Sequence, residues 1–161
     1  MSIRVLGIDP GYALVGYALL LGGPRPTIEE RGVIQTTKGA PMALRLAEVS
    51  ADLRQLAIHL RPHHVALEVF LGFRKNPTAS NLVAQARGAI LAQIGEFNLP
   101  LYEYHPSKAK TALTGKANAK KAEVIAAVRE LYGDLRIKHD DEADAIAIAY
   151  THVLMLQSGA A

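Results

Sequence analysis

The chain has 161 residues, half of them hydrophobic, one fifth charged and only 6% aromatic, which is the size of one domain with a buried core and too apolar for a disordered chain. It contains no cysteine, so disulfides, thiolate nucleophiles and cysteine-held zinc are excluded together, and any metal must be held by carboxylates, histidines or carbonyls. The formal net charge is +3, yet from Leu71 to His139 eleven Lys and Arg stand against five acids while the remainder is net acidic, a distribution that suits a bound polyanion beside a cation-neutralised carboxylate pocket, or simply solvated helix faces.

In chain order, Ile3 to Ile8 is a short apolar run ending in Asp9-Pro10-Gly11, too short for a signal peptide or membrane helix, and a cytoplasmic protein is expected. Ala13 to Leu21 and Thr27 to Thr37 follow as two further strands, giving an antiparallel opening. From Met42 to Leu60 the apolar residues recur at three- and four-residue steps, which predicts an amphipathic helix stopped by Pro62. His64 to Phe70 reads as a buried strand and Ala79 to Phe97 as a helix rich in small residues. Pro100 to Tyr104 is a short strand, and Ala119 to Tyr132 and Asp141 to Gln157 are helices, the last one buried. Hairpins followed by crossover connections predict one α/β domain over residues 1–161 with a mixed sheet.

Three places carry acids of interest. Asp9 sits where the first strand enters its turn; an Asp-Pro-Gly turn also uses Asp as a backbone cap and Gly for positive φ. Glu68 interrupts an apolar strand, where a lone carboxylate is costly unless paired, protonated or bound to a cation; a surface position at the strand end is the alternative. Asp140, Asp141, Glu142 and Asp144 form an acidic first turn that would also complement a helix dipole. Residues three or four apart share a helix face, so Asp141 or Asp140 can point the same way as Asp144, while Glu142 faces away. Taken as a set, oxygen ligands from three separate elements suit hard divalent cations. His152, inside the last helix, reads as a hydrogen-bonded packing residue rather than a ligand.

The segments GIDPG (7–11), ALEVF (66–70), QARGA (85–89) and DEADAIAIAYTH (141–152), in this order and spacing, resemble the RuvC family of Holliday junction resolvases. The resemblance implies a ribonuclease H-like (integrase-like) fold: a five-stranded mixed sheet, its first three strands antiparallel, with helices on both faces. It also implies a homodimer that nicks two strands of a four-way DNA junction symmetrically, with the RuvAB branch-migration complex as a partner suggested by the family alone. By the same resemblance, Asp9, Glu68, Asp141 and Asp144 are the catalytic acids and bind two Mg2+ ions, with Mn2+ able to substitute. Lys110 and Lys121 match lysines near DNA, within an acid-free stretch that also holds Lys108, Lys116 and Lys120. An aromatic wedge into the junction falls on Phe73, beside Arg74 and Lys75, or on Phe70, which is expected to continue the buried strand.

Two other functions compete: a junction-binding module without catalysis, against which the intact acids argue, and a related ribonuclease H-like nuclease acting on RNA. The helix 79–97, with Ala84, Ala86, Gly88, Ala89 and Ala92, is the candidate dimer interface, packing within one subunit being the alternative.

Overall fold

The computed structural model describes residues 2–72 and 75–160; Phe73 and Arg74, proposed above as DNA contacts, lie outside the described residues. Among those described, the elements run β1 (Arg4–Asp9), β2 (Leu14–Leu21), β3 (Thr27–Gln35), α1 (Met42–Leu60), β4 (His64–Glu68), α2 (Pro77–Glu96), β5 (Leu101–Tyr104), α3 (Pro106–Thr114), α4 (Lys121–Tyr132) and α5 (Asp140–Gln157). The strands form one sheet in the order β3-β2-β1-β4-β5. The first three are antiparallel, whereas β4 pairs parallel with both β1 and β5.

Side-chain alternation along each strand separates two cores. Leu6, Ile8, Val15, Leu19, Val65 and Leu67 pack with Val49, Leu53 and Leu60 of α1 and Ile90 and Ile94 of α2. On the other face Val5, Ala18, Leu20, Ala66 and Tyr104 pack with the apolar side of α5 and with Ala109, Val124 and Val128 from α3 and α4. Each buried Leu or Ile contributes about 1.5–3 kcal/mol relative to exposure, so the two layers hold the sheet between them.

α5 is the central helix of its layer and lies against β1 and β2 at two glycines. A Cβ on Gly7 would stand 2.2 Å from the carbonyl oxygen of Ala145, and one on Gly16 would stand 2.1 Å from that of Asp141. No other residue type permits that approach. Further along α5, His152 is fully buried, with its ring nitrogens 2.8 Å from Nδ1 of His64 and 2.7 Å from the Tyr104 hydroxyl. It is a packing residue tying α5 to β4 and β5.

The structure differs from the sequence reading at three places. α3 is a helix that apolar periodicity does not announce in so short a segment. β4 stops at Glu68, so Phe70 is not a buried strand residue but a half-buried one beyond the strand end. Gly11 does not adopt a positive φ; it is needed because a Cβ would lie 2.1 Å from the Leu14 carbonyl oxygen. On α2, Ala86 is buried within the subunit and Ala89 half-buried, while Ala84, Gly88 and Ala92 face outward.

Candidate active site

Strand parity decides which face each acid takes. Val5 and Gly7 point toward α5, so Asp9, two residues on, points there as well; Ala66 does the same on β4 and carries Glu68 with it. The parallel register pairs Ile8 with Leu67, leaving Asp9 and Glu68 as the next residues at the adjoining C-terminal ends of two neighbouring strands. Asp9 is also the cross-strand partner of Gly16. Because Gly16 has no side chain, the Asp141 backbone descends onto β2 beside it, and the first turn of α5 is brought over Asp9. Asp9, Glu68, Asp141 and Phe70 accordingly line one cleft together with the Pro10–Leu14 turn.

That turn is braced from α1. Arg45 donates to the Tyr12 carbonyl at 3.0 Å and to the Thr36 hydroxyl at 2.9 Å, and its guanidinium lies 5.0 Å over the Tyr12 ring. The Thr36 hydroxyl donates in turn to the Tyr12 carbonyl at 2.9 Å. The connection that follows Asp9 is thereby held by three contacts.

The acids feel one another strongly. Burial, then the charges of Glu68, Asp144 and Asp141, raise Asp9 well above the ordinary carboxylate range, against the opposing pull of Lys121. Burial and Asp144 lift Glu68 to about 7, with Lys110 opposing. Asp144, which does not itself line the cleft, is raised by burial and by Asp141 and Asp140, while Lys121 and Lys110 pull it down. A cluster in which buried carboxylates obstruct each other's ionisation has a strong demand for positive charge. Among the described residues no three His, Cys, Asp or Glu side chains are drawn close enough to form a ready-made cation cage; the acids face one another at electrostatic range across the cleft. Their donor set is wholly carboxylate oxygen, which fits hard divalent cations and not zinc-type coordination.

The candidate lysines divide. Lys110 on α3 and Lys121 at the start of α4 are the two whose charges reach the acids. The slight desolvation of the exposed Lys121 is outweighed by Asp140, whose carboxylate it meets at 3.2 Å, together with Asp144 and Asp141, and its ammonium is stabilised. Asp140 is thus directed to Lys121. Lys116 turns instead to Glu123 at 2.9 Å, Lys108 lies over the Tyr104 ring at 5.4 Å, and Lys75 and Lys120 are exposed. His105 is the N-cap of α3 and accepts from the Ser107 N–H at 3.2 Å.

Two contributors are missed by acid-spotting. The first is α3, which presents Lys110; its signal is Pro106 at the first helical position and Gly115 in the left-handed conformation just past the end. The second is Glu142, which is buried and paired with Arg31 of β3. Its other oxygen accepts from the N–H groups of Lys138 and His139, both at 3.2 Å, and its place three residues after the N-cap is the half of a capping box that the sequence does display.

A mixed sheet in this strand order, with acids at the ends of two central strands and on a helix laid across them, is a ribonuclease H-like nuclease fold. The family model described as crossover junction endodeoxyribonuclease RuvC matches residues 5–152, and the chain belongs to that family. It is 42% identical over 151 residues to the crossover junction endodeoxyribonuclease RuvC of Synechococcus sp. (strain WH7803), covering 92% of this chain and 97% of the relative. To that of Prochlorococcus marinus (strain MIT 9303) it is 41% identical with the same coverage. Among solved structures it is similar to T. thermophilus RuvC in complex with a Holliday junction substrate, with a TM-score of 0.88, 31% identity, and 98% and 97% of the two chains covered. The yeast mitochondrial Holliday junction resolvase Ydc2 shares the fold, with a TM-score of 0.69, 18% identity, and 99% and 82% coverage.

Proposed function

We infer that this chain is a metal-dependent crossover junction endodeoxyribonuclease that resolves four-way DNA junctions in recombination and repair by paired nicks, with Asp9, Glu68, Asp141 and Asp144 as its catalytic acids. The observation that carries the reading is the convergence of carboxylates from β1, β4 and α5 on one cleft, flanked by Lys110 and Lys121, in a chain matched to the RuvC family over nearly all its length. The oxygen-only donor set and the mutual hindrance of the acids fit two Mg2+ ions per subunit, with Mn2+ able to replace them. Such ions supply activation of a water and stabilisation of the leaving oxygen in phosphodiester hydrolysis.

The chain's own groups have distinct tasks. Asp9 and Glu68, fixed at adjoining strand ends, define the cleft floor, Asp141 closes it from α5, and Asp144, one turn further along α5, acts on both at electrostatic range. Lys110 and Lys121 attract the phosphate backbone and offset the carboxylate field that would repel it. Phe70 in the cleft wall, and Phe73, Arg74 and Lys75 a few residues later in the sequence, are candidates for contacting unstacked bases at the branch point. Two equivalent cuts in a nearly two-fold substrate call for a homodimer, and the outward face of α2 with Ala84, Gly88 and Ala92 is its candidate interface. The RuvAB complex is a further candidate partner and the cytoplasm the proposed location.

The test is nicking of a synthetic four-way junction with and without Mg2+. The expected result is paired, Mg2+-dependent cuts, lost by at least three orders of magnitude in Asp9→Asn, Glu68→Gln and Asp141→Asn while junction binding persists. Cutting by the triple variant would remove these acids from the site. Preference for structured RNA over the junction would move the substrate.

A further inference from the structure

We propose that Arg31, acting through Glu142, is a positioning residue that sets the metal-binding geometry of Asp141 and Asp144; the proposal rests on the reading of those acids as metal ligands. Arg31 lies on the edge strand β3, opposite Ala18 in the register, and so on the α5 side of the sheet. Its guanidinium has two arms. One is ion-paired with the Glu142 carboxylate and the other donates to the Arg136 carbonyl at 3.4 Å.

Glu142 stands between Asp141 and Asp144 in the first turn of α5, yet it is almost wholly buried and turned away from the cleft. The hydrogen bonds it makes hold the start of the helix: one oxygen to Arg31, the other to the Lys138 and His139 N–H groups. No serine, threonine or aspartate caps α5; its N-cap is His139. The helix therefore depends on this carboxylate for its N-terminal anchoring. Gly7 and Gly16 fix how close α5 lies to the sheet, but a flat contact between glycines and helix backbone permits sliding and rotation. The Arg31 fork, reaching from the far edge of the sheet to both the helix and its entering loop, restrains that movement at the N-terminal end of α5, where the acids are, as His152 does further along the helix. Groups that orient metal ligands without touching the ion typically alter affinity 10- to 100-fold when removed.

Electrostatics alone predicts the opposite sign. Removing a cation near an acidic site should tighten binding of a divalent ion, whereas loss of positioning should weaken it. The experiment is Mn2+ binding to the full chain, followed by electron paramagnetic resonance without DNA, at a temperature where circular dichroism shows each variant folded. Wild type and Asp9→Asn set the frame: if wild type binds no Mn2+, or Asp9→Asn binds as tightly, the ligand reading itself fails. Given that frame, Arg31→Gln is expected to bind Mn2+ at least tenfold more weakly. Unchanged or tighter binding would overturn the proposal. Should Arg31→Gln not fold, the double variant Arg31→Met/Glu142→Leu exchanges the pair for apolar volume and orphans no buried charge. It leaves the net local charge as it was and removes the whole Arg31–Glu142 anchor, the Lys138 and His139 N–H contacts included, so weakened Mn2+ binding in it supports positioning by the pair and wild-type affinity refutes it.

Discussion

Glu68 shows what the cleft costs the protein at the level of one residue. Its carboxyl, lifted from 4.5 to about 7 by burial and by Asp144, holds its proton more tightly in the folded chain than in the unfolded one. Its contribution to stability is therefore complete below about pH 4.5 and is lost as pH rises through about 7, amounting to about 3 kcal/mol across that interval. In metal-free buffer, Glu68→Gln should accordingly raise the melting temperature at pH 8 and leave it nearly unchanged at pH 4.5. Added Mg2+ should stabilise wild type at pH 8 more than the variant. Thermal melts at the two pH values check this, and equal shifts at both would mean that the carboxyl is not perturbed. Of the four acids only Glu68 stands out in the sequence by itself, because a carboxylate inside an apolar strand is a chemical anomaly; Asp9 equally suits a turn and Asp141 and Asp144 a helix N-terminus, so these three are singled out by the family resemblance. For Glu142 helical spacing tells that it faces away from Asp144, but nothing local names what it faces, an arginine 111 residues away.

At the scale of elements, the site is the meeting of two strand ends with the first turn of one helix, and Gly16 sets the distance. A methyl at Gly16 would sit 2.1 Å from the Asp141 carbonyl oxygen, contact with backbone rather than a flexible side chain, so α5 itself has to move. Overpacking of this kind costs about 1–3 kcal/mol, and an ångström of misplacement at a reacting centre about 10²-fold in rate. Gly16→Ala is expected to lower the melting temperature and to reduce junction nicking by about that factor. Gly95→Ala, where the added methyl meets open space, should be neutral or stabilising by up to about 1 kcal/mol. Melts and nicking rates of both variants decide the matter, and a fully active Gly16→Ala would show that α5 does not control the acids. The strands and the long helices can be read from periodicity, since their apolar positions repeat over enough residues. α3 cannot, being nine residues long with one buried side chain, Ala109, and the end of β4 cannot, because the apolar run continues past Glu68 after the pairing has stopped.

Across the whole molecule the charges divide into a buried acidic cleft and a lysine-bearing flank built from α3, the loop after it and α4. The sequence displays this division as a run of lysines without acids. What it cannot display is that two of those lysines are already occupied: Lys116 by Glu123, Lys121 by Asp140. Exposed pairs of this kind are worth about 0–1 kcal/mol, so a phosphate backbone can displace the carboxylates at little expense. Each lysine that then meets a phosphate should add about 0.9 to the slope of log affinity against log salt concentration. Lys110 and Lys121, whose charges reach the acids, should both meet the strand held in the cleft. Replacing both with alanine is expected to flatten the slope for junction binding by about 2. Arg129→Ala, whose side chain answers Asp134 near the other end of α4, should leave it unchanged. Fluorescence anisotropy with a labelled junction over a salt series measures the slope. If the double variant kept the full wild-type slope, the polyanion would have to approach by another face, and the acidic cleft would be left without its counterpart for the backbone.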